Sequence, residues 1–424
     1  MARHVKLHWI PIDGSGLSRR DKQGGTYHAF VPDTLASLAV RLPAELSQRI
    51  VLVERTIHRL SAYNNPLSLE AVFRLLLRSE AVASSRIEGY APNSDKVAMA
   101  VLAGSSSQHI AGFSAAAAAV ARNVSILSDL NPQLADKDVL ELEDFITMQS
   151  SLVAETQLKG IRHTQNWIGG SNYHPLTAAF VPPPPEEVEG LLEDLLTYLN
   201  GADHSALVQA ALVHAQFETI HPFPDGNGRV GRAMIHTVLQ RRGLTQAAVL
   251  PISMVLGTLS DRYVDGLTAF RNGEVLDWIA FFVDAAEIAA EKAAQIAQDV
   301  AALEADWTDR VNDYRKQQGL SRALRSDSTE SRVLDCLPST PLVTVASVQS
   351  LLGTSSTAAA RAALESLTES GVLRKRSIGP GGLQGYFADD VFRLVDDAER
   401  QLASTQFDTR LSPPSRQNVP KHRE

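Results

Sequence analysis

Apolar residues recur at helical spacing through most of the first 315 residues, and this periodicity restricts the fold more than any other feature of the chain. The four prolines at 182–185 are typical of a rigid spacer before a helix whose first turn is acidic. The predicted helices cover residues 31–60, 67–83, 114–130, 140–153, 187–200, 206–219, 232–242 and 276–315. Residues 1–30 are predicted to be irregular or edge structure, 101–112 a loop and 157–171 a short hairpin. We therefore predict a mostly α protein.

A smaller unit of different character follows a polar linker at 317–331. Three short helices are predicted at 332–337, 345–352 and 358–370, followed by two strands at 372–376 and 385–388 that flank the turn GPGG. This order of elements is typical of a winged helix, which is an α+β domain. The chain after residue 400 is rich in Pro, Ser and charge and is predicted to be disordered.

Composition excludes several classes of protein. The 424 residues are 44% hydrophobic and 21% charged, as in globular chains of about three domains. The single cysteine, Cys336, excludes a disulfide within the chain and a cysteine-rich zinc site. We find no secretory signal and no apolar run of about 18 residues, so we expect a cytoplasmic protein without a membrane segment. The net charge of −8 argues against general electrostatic binding of nucleic acid.

One segment carries the residues of phosphoryl-transfer chemistry, namely HPFPDGNGRVGR at 221–232. A Gly-Asn-Gly turn that enters a helix leaves backbone N–H groups directed outward, which suits a phosphate. Arg229 and Arg232 are three residues apart and could clamp further phosphate oxygens from one helix face. Asp225 is a hard carboxylate suited to Mg²⁺, and His221 could act as a general base near neutral pH. Asp-Gly-Asn-Gly alone would more often be an ordinary turn.

This string resembles the motif H-x-F-x-[DE]-G-N-G-R-x-x-R of Fic-domain proteins, and every fixed position matches. The resemblance implies a helical bundle with a small β-hairpin flap. It also implies transfer of AMP from ATP to a Tyr, Thr or Ser hydroxyl of a target protein or of the chain itself. Implied domains are an N-terminal helical region at 1–105, the Fic core at 106–290, a helical linker at 291–325, a winged helix at 326–400 and a tail at 401–424.

The resemblance also implies a role for each motif residue. His221 would deprotonate the attacking hydroxyl, Phe223 would anchor the loop in the core, and Asp225 would hold Mg²⁺ on the phosphates. The Asn227 side chain would donate to phosphate oxygens, Arg229 would contact the β- and γ-phosphates, and Arg232 would hold the γ-phosphate. The complete nucleotide-binding set is Gly226, Asn227, Gly228, Arg229, Val230, Gly231 and Arg232, with Tyr263 and Glu88 in addition.

An upstream segment, Ser84-Ser-Arg-Ile-Glu88-Gly89, resembles the inhibitory motif [ST]-x-x-x-E-[GN] of regulated Fic proteins. Ser84 and Glu88 share a helix face, and Gly89 would be the C′ residue that ends the helix. A carboxylate there could pair with Arg232 and remove one γ-phosphate contact. The alternative is an ordinary helix C-terminus.

A third resemblance concerns the target-docking flap, for which the segment 162–170 matches R-x-x-x-x-W-I-G-G. The edge of the flap could pair main chain to main chain with an extended target segment. The residues assigned to this flap are Gly160, Arg162, Trp167, Ile168, Gly169 and Gly170. Tyr263 is placed beside the adenine by the same resemblance, and a core tyrosine is the alternative.

The sequence is also consistent with two functions other than AMP transfer. The winged helix favours a DNA-binding regulator in which the Fic core only senses a nucleotide, but residues 326–400 carry 7 Lys/Arg against 10 Asp/Glu. A protein-interaction role or a homodimer fits this unit at least as well. The other rival is Fic-type transfer of a different phosphate-containing group. ATP and Mg²⁺ are the expected substrate and cofactor.

Overall fold

The computed structural model describes residues 2–11, 18–60, 66–245, 249–320, 322–353 and 356–406. The chain is mostly helical, as predicted. The helices are α1 (Ala44–Leu60), α2 (Pro66–Ile87), α3 (Ser94–Ser105), α4 (Ala115–Ser125), α5 (Asn131–Ala135), α6 (Leu142–Leu152), α7 (Pro185–Asn200), α8 (Ala206–Ile220), α9 (Asn227–Arg241), α10 (Ile252–Thr258), α11 (Ser260–Arg271), α12 (Val275–Gln317), α13 (Thr329–Cys336), α14 (Val345–Leu352), α15 (Thr357–Glu369) and α16 (Asp389–Gln406). The strands are β1 (Arg3–Trp9), β2 (Gly25–Val31), β3 (Leu342–Val343), β4 (Arg374–Ser377) and β5 (Gln384–Phe387).

The chain divides into two compact units, each assembled from separate segments. The first comprises Met1–Leu52, Leu130–Leu244 and Asp261–Val283. The second comprises Val53–Asp129, Thr245–Ser260 and Asp284–Glu424. Among the described residues, no helix combines the length and the apolar character that a membrane crossing requires.

The first unit is organised around α8, in which every residue is buried. A helix that is buried on all sides lies at the centre of a bundle rather than at its surface. The α8 side chain of Phe217 packs against Phe145 from α6 and against Phe223 from the loop after α8. Trp278 of α12 donates its indole N–H to the carbonyl of Ala211 at 2.8 Å. The core therefore fixes α8 and anchors Phe223 in the segment that follows it.

The second unit joins α2, α3, α4 and α10 to the C-terminal elements. The short strands form an antiparallel sheet in the order β3-β5-β4. Side chains of α3 pack on this sheet in one apolar cluster, whose buried members are Ala98, Met99, Leu102, Ile110, Leu342, Ile378 and Phe387. The buried carboxylate of Glu80 in α2 accepts the backbone N–H of Ser253 in α10 at 2.8 Å.

Several predicted elements differ from the structure. Strands β1 and β2 pair in antiparallel fashion, with Arg3 opposite Val31 and Trp9 opposite Gly25, where irregular or edge structure was predicted. The helix predicted at 31–60 begins only at Ala44, and α3 occupies part of the loop predicted at 101–112. Within 157–171 the structure has no regular strand; Ile168 instead makes one antiparallel bridge with Phe180.

Two differences concern the C-terminal part. The strand β3 and the helix α16 were not predicted, and α16 extends through residues 401–406 of the predicted tail. The remainder of that tail, 407–424, lies outside the described residues.

Candidate active site

The loop between α8 and α9 begins with an unusual backbone conformation. His221, the cap of α8, has φ 49° and ψ 60°, and it is the one non-glycine residue of the described chain with positive φ. This left-handed conformation normally belongs to glycine at a helix end and costs other residues about 1–2 kcal/mol. Surrounding contacts must therefore hold His221 in place, as is common at functional sites.

Arg162 provides these contacts. Its guanidinium is buried and donates from Nε to the carbonyl of His221 at 2.9 Å and from Nη2 to the carbonyl of Pro183 at 2.5 Å. Its backbone N–H donates to the carbonyl of Pro222 at 3.0 Å. Burial lowers the pKa of Arg162 to about 10, so the side chain remains cationic at neutral pH. The Arg162 side chain supports the loop and is not available to dock a target.

Asn227, the first residue of α9, holds the middle of the loop. Its Oδ1 accepts the backbone N–H of Phe223 and its Nδ2 donates to the carbonyl of the same residue, both at 2.8 Å. Asn166 also donates to the carbonyl of Phe223, at 3.1 Å. The Asn227 amide is buried and engaged with backbone, which corrects its expected role as a side-chain donor to phosphate.

The N-terminus of α9 is the candidate phosphate site. The helix begins at Asn227, five residues before its predicted start, so Gly228, Arg229, Val230, Gly231 and Arg232 all lie in its first two turns. The first N–H groups of a helix have no intrahelical acceptor and carry partial positive charge. Gly226, with φ 85°, precedes the helix and allows the tight entry. The buried side chains of Arg229 and Arg232 add two positive charges to these turns.

Asp225 is the candidate metal ligand. Its side chain is 44% exposed, and its Oδ2 lies 3.6 Å from Nη2 of Arg229. Its Oδ1 accepts the backbone N–H of Gly226 at 2.7 Å. The described residues contain no group of three or more His, Cys, Asp or Glu side chains that could hold a metal. A single exposed carboxylate next to a phosphate site nevertheless fits Mg²⁺, which usually takes one or two protein carboxylates and completes its shell with phosphates and water.

Residues 139–239, which span α6 to α9, match the model of the Fic/DOC family. The chain contains a Fic domain. A probable protein adenylyltransferase of Aquifex aeolicus is 42% identical over 72 residues, which are 17% of this chain and 22% of that protein. The protein adenylyltransferase Fic of Culex quinquefasciatus is 29% identical over 157 residues, which are 34% of this chain and 28% of that protein. The chain thus spans less than a third of either relative.

Among solved structures, a Fic family protein from Desulfovibrio desulfuricans G20 is 21% identical. The match covers 82% of this chain and 97% of that one, with a TM-score of 0.48.

Gln149 of α6 is a Fic-domain residue that sequence reasoning missed. It is fully buried, and its Nε2 donates to the carbonyl of Asp225 at 3.0 Å and to that of Leu158 at 2.7 Å. Its Oε1 accepts the backbone N–H of Gly160 at 3.0 Å. One amide therefore ties the start of the flap segment to the motif loop. An isolated glutamine in a helix carries no sequence signal for this role.

Tyr263 of α11 is buried in the first unit rather than exposed at its surface. Its hydroxyl is 2.8 Å from Nε2 of His214, and the two rings are nearly parallel with centroids 5.9 Å apart. Burial, and then the charge of Arg232, lower the pKa of His214 to about 3. His214 is therefore neutral at physiological pH and acts as a hydrogen-bond partner. The structure favours the core alternative for Tyr263.

The flap segment is a glycine-rich loop closed by the bridge between Ile168 and Phe180. Gly170, with φ 76°, passes so close to the carbonyl of Thr177 that a Cβ would lie 2.3 Å from its oxygen. The indole of Trp167 donates to the carbonyl of Ser171 at 2.6 Å and packs edge-on against Trp9 of β1. The flap segment is thus braced by the N-terminal hairpin.

The residues of the inhibitory motif lie at the end of α2. Ser84 is buried in the last turns, α2 ends at Ile87, and the exposed Glu88 follows directly. Gly89 has φ 85° and donates its N–H to the carbonyl of Arg86 at 2.9 Å. The predicted helix end with a C′ glycine is confirmed.

Proposed function

We propose that this protein is an adenylyltransferase that transfers AMP from ATP to a Tyr, Thr or Ser hydroxyl of a target protein and of itself. The observation that carries the proposal is the junction of α8 and α9. It places a restrained histidine, a helix N-terminus and two buried arginines within twelve consecutive residues. The Fic domain match and the relatives named as adenylyltransferases support the same activity.

The reaction assigns one task to each part of the loop. The hydroxyl oxygen attacks the α-phosphorus of ATP, its proton passes to His221, and the bond from the α-phosphorus to the bridging oxygen of pyrophosphate breaks. The α9 N-terminus and the two arginines hold the phosphates and balance their charge. Asp225 would hold Mg²⁺, which when bound neutralises phosphate charge and orients the leaving group.

The target would lie along the flap segment, where main-chain pairing can hold an extended peptide near His221. Gly160, Gly169 and Gly170 have positive φ and give this segment its shape. Trp167 supports the segment through the hydrogen bond from its indole to the carbonyl of Ser171. Tyr263 would support the nucleotide pocket indirectly, through its hydrogen bond with His214.

We further propose that Glu88 restrains the enzyme by competing with the γ-phosphate for Arg232. The support is the sequence motif together with the helix end at Ile87 and Gly89. Loss of a charged hydrogen bond worth about 1.5–3 kcal/mol corresponds to a roughly 10–100-fold gain in turnover. Glu88→Gly should show this gain in automodification, and the gain should disappear in the Glu88→Gly, Arg232→Ala double variant.

The C-terminal elements, residues 326–400, are proposed to be a winged helix that binds protein rather than DNA. The order α13-β3-α14-α15-β4-β5, with β5 central in the sheet, supports this assignment. The basic cluster of β4 is neutralised: Arg374 pairs with Asp389, Lys375 with Glu365 and Arg376 with Asp95. Paired side chains are less available to phosphates, which disfavours the DNA-binding alternative. A homodimer is one protein contact this unit could make.

Labelled ATP tests the activity. With ATP and Mg²⁺, label on the α-phosphate should enter protein and label on the γ-phosphate should not. His221→Ala should abolish incorporation but retain ATP binding, because the phosphate site is intact. Incorporation from γ-labelled ATP would instead indicate phosphorylation, and incorporation by His221→Ala at the native rate would refute the proposed base.

A further inference from the structure

A buried carboxylate lies next to the candidate base. Glu218 precedes His221 by three residues in the last turn of α8, and its Oε2 is 3.9 Å from Nδ1 of His221. The two side chains are 8% and 20% exposed, so little water separates the charge from the ring. The distance is too long for a hydrogen bond but short enough for a strong electrostatic interaction.

Neighbouring elements make room for this carboxylate and balance its charge. On the α9 side, a Cβ at Gly231 would lie 2.6 Å from Oε1 of Glu218, so a larger residue there would displace the carboxylate. On the α11 side, the cationic Arg271 interacts electrostatically with Glu218. Burial lowers the pKa of Arg271 to about 10, which leaves it charged at neutral pH.

Arg271 is itself held in place. Its guanidinium carbon lies 3.7 Å from the centre of the Phe180 ring, and Phe180 forms the bridge that closes the flap segment. The titratable and charged groups near Glu218 therefore include Arg271 of α11 and the His221 ring at the end of α8. Arg232 of α9 adds a positive charge beside His214, one turn earlier on α8. This arrangement keeps a negative charge behind the histidine without leaving it uncompensated.

The geometry has a chemical consequence for His221. A carboxylate facing Nδ1 favours the tautomer that carries hydrogen on Nδ1, which leaves the lone pair of Nε2 to accept a proton. The same negative charge stabilises the imidazolium that forms when the target hydroxyl loses its proton. Catalytic contacts of this kind often tighten only when substrate is bound.

We propose that Glu218 is a positioning residue that selects the reactive tautomer of His221 and raises its basicity. This inference rests on the proposed AMP transfer, in which His221 is the base. It adds a requirement outside the twelve-residue motif, since Glu218 lies three residues before it.

The test compares Glu218→Gln with Asp144→Asn, a control that also removes a buried carboxylate in the same unit but in α6. Turnover of α-labelled ATP should fall roughly 10–100-fold in Glu218→Gln, with KM for ATP changed less than about twofold. The acid limb of its pH–rate profile should move to lower pH, because a histidine without the neighbouring carboxylate loses its proton more easily. Glu218→Asp should restore part of the rate.

The outcomes separate the two proposals. An inactive wild-type protein would overturn the AMP transfer itself. An active wild type with a Glu218→Gln variant that matches Asp144→Asn in rate and pH profile would overturn the role of Glu218 alone. If Glu218→Gln does not fold, Glu218→Asp carries the test: a native rate despite the retracted carboxylate would contradict the positioning role.

Discussion

Replacing Arg162 by methionine tests whether the buried guanidinium holds His221 in its left-handed conformation. Methionine keeps much of the length and volume but removes every donor. The native side chain makes two short hydrogen bonds, to the carbonyls of His221 and Pro183, and two longer ones, to Ile220 at 3.3 Å and Thr164 at 3.4 Å. The two short bonds together contribute about 3–6 kcal/mol before any cost is subtracted.

Burying the charge offsets part of this contribution. The lowering of the Arg162 pKa from 12.5 to about 10 corresponds to roughly 3 kcal/mol of desolvation. The net loss of unfolding free energy in Arg162→Met should therefore be about 0–3 kcal/mol. This is comparable with the roughly 1–2 kcal/mol that the left-handed backbone of His221 costs. We therefore expect the loop to relax and AMP transfer to fall at least about tenfold while the protein remains folded.

Urea unfolding and α-labelled ATP incorporation measure the two effects on one preparation. Arg41→Met, at an exposed position of the same unit, is the matched control and should be close to wild type in both. Arg162→Lys should be intermediate, because an ammonium group cannot reach several carbonyls with a fixed fork. Native activity in a stable Arg162→Met protein would show that the conformation of His221 does not depend on this side chain.

Asn227→Asp should lower the unfolding free energy by about 1–3 kcal/mol in the absence of nucleotide, because the variant loses the donor to the carbonyl of Phe223. Equal urea midpoints for the variant and the wild type would contradict this structural role. The lowered pKa of His214 means that burying this residue in its neutral form adds its full share to the unfolding free energy above about pH 6.5. This share is lost as pH falls towards about 3, because the unfolded state binds the proton first. Between these pH values the unfolding free energy measured in urea titrations should change by up to about 1.4 kcal/mol per pH unit, and this dependence should be weaker in His214→Gln. Arg86→Ala removes the pair with Glu399 and should lower the unfolding free energy by less than about 1 kcal/mol, because the arginine is 43% exposed. High salt should erase this difference, and a difference that persists in high salt would contradict an ionic contribution.

The accuracy of the helix predictions depended on whether the burial pattern was local. Helix α14 was predicted to the residue, and α8 and α12 nearly so, because apolar residues run through each of them without interruption by Gly or Pro. Helix α3 was missed because its Gly-Ser end resembles a loop and two of its five buried residues are alanines. In β1, Val5, Leu7 and Trp9 alternate with polar residues, which is a usable signal for a strand. The charged residues around them led to a prediction of irregular or edge structure instead.

The polar residues of the site show a different limit. The spacing of the motif is local, so it indicated that His221, Asp225 and the two arginines lie along one loop and the helix that follows it. It could not show that Asn227 is occupied by the backbone of Phe223, since a motif records residue identity and not hydrogen-bond partners. The sequence left Tyr263 open between an adenine contact and a core residue, and its contact with His214 favours the core.

The sequence by itself determined the helical class, the candidate anion-binding turn and the chemistry that its residues can perform. Tertiary structure decided which side chains hold that turn in its reactive shape. Arg162 reaches the carbonyl of His221 across 59 positions, and Gln149 reaches that of Asp225 across 76. Periodicity and motifs report on neighbours within a few turns, whereas these contacts exist only after the core has brought distant backbone groups together and excluded the water that would otherwise bind them.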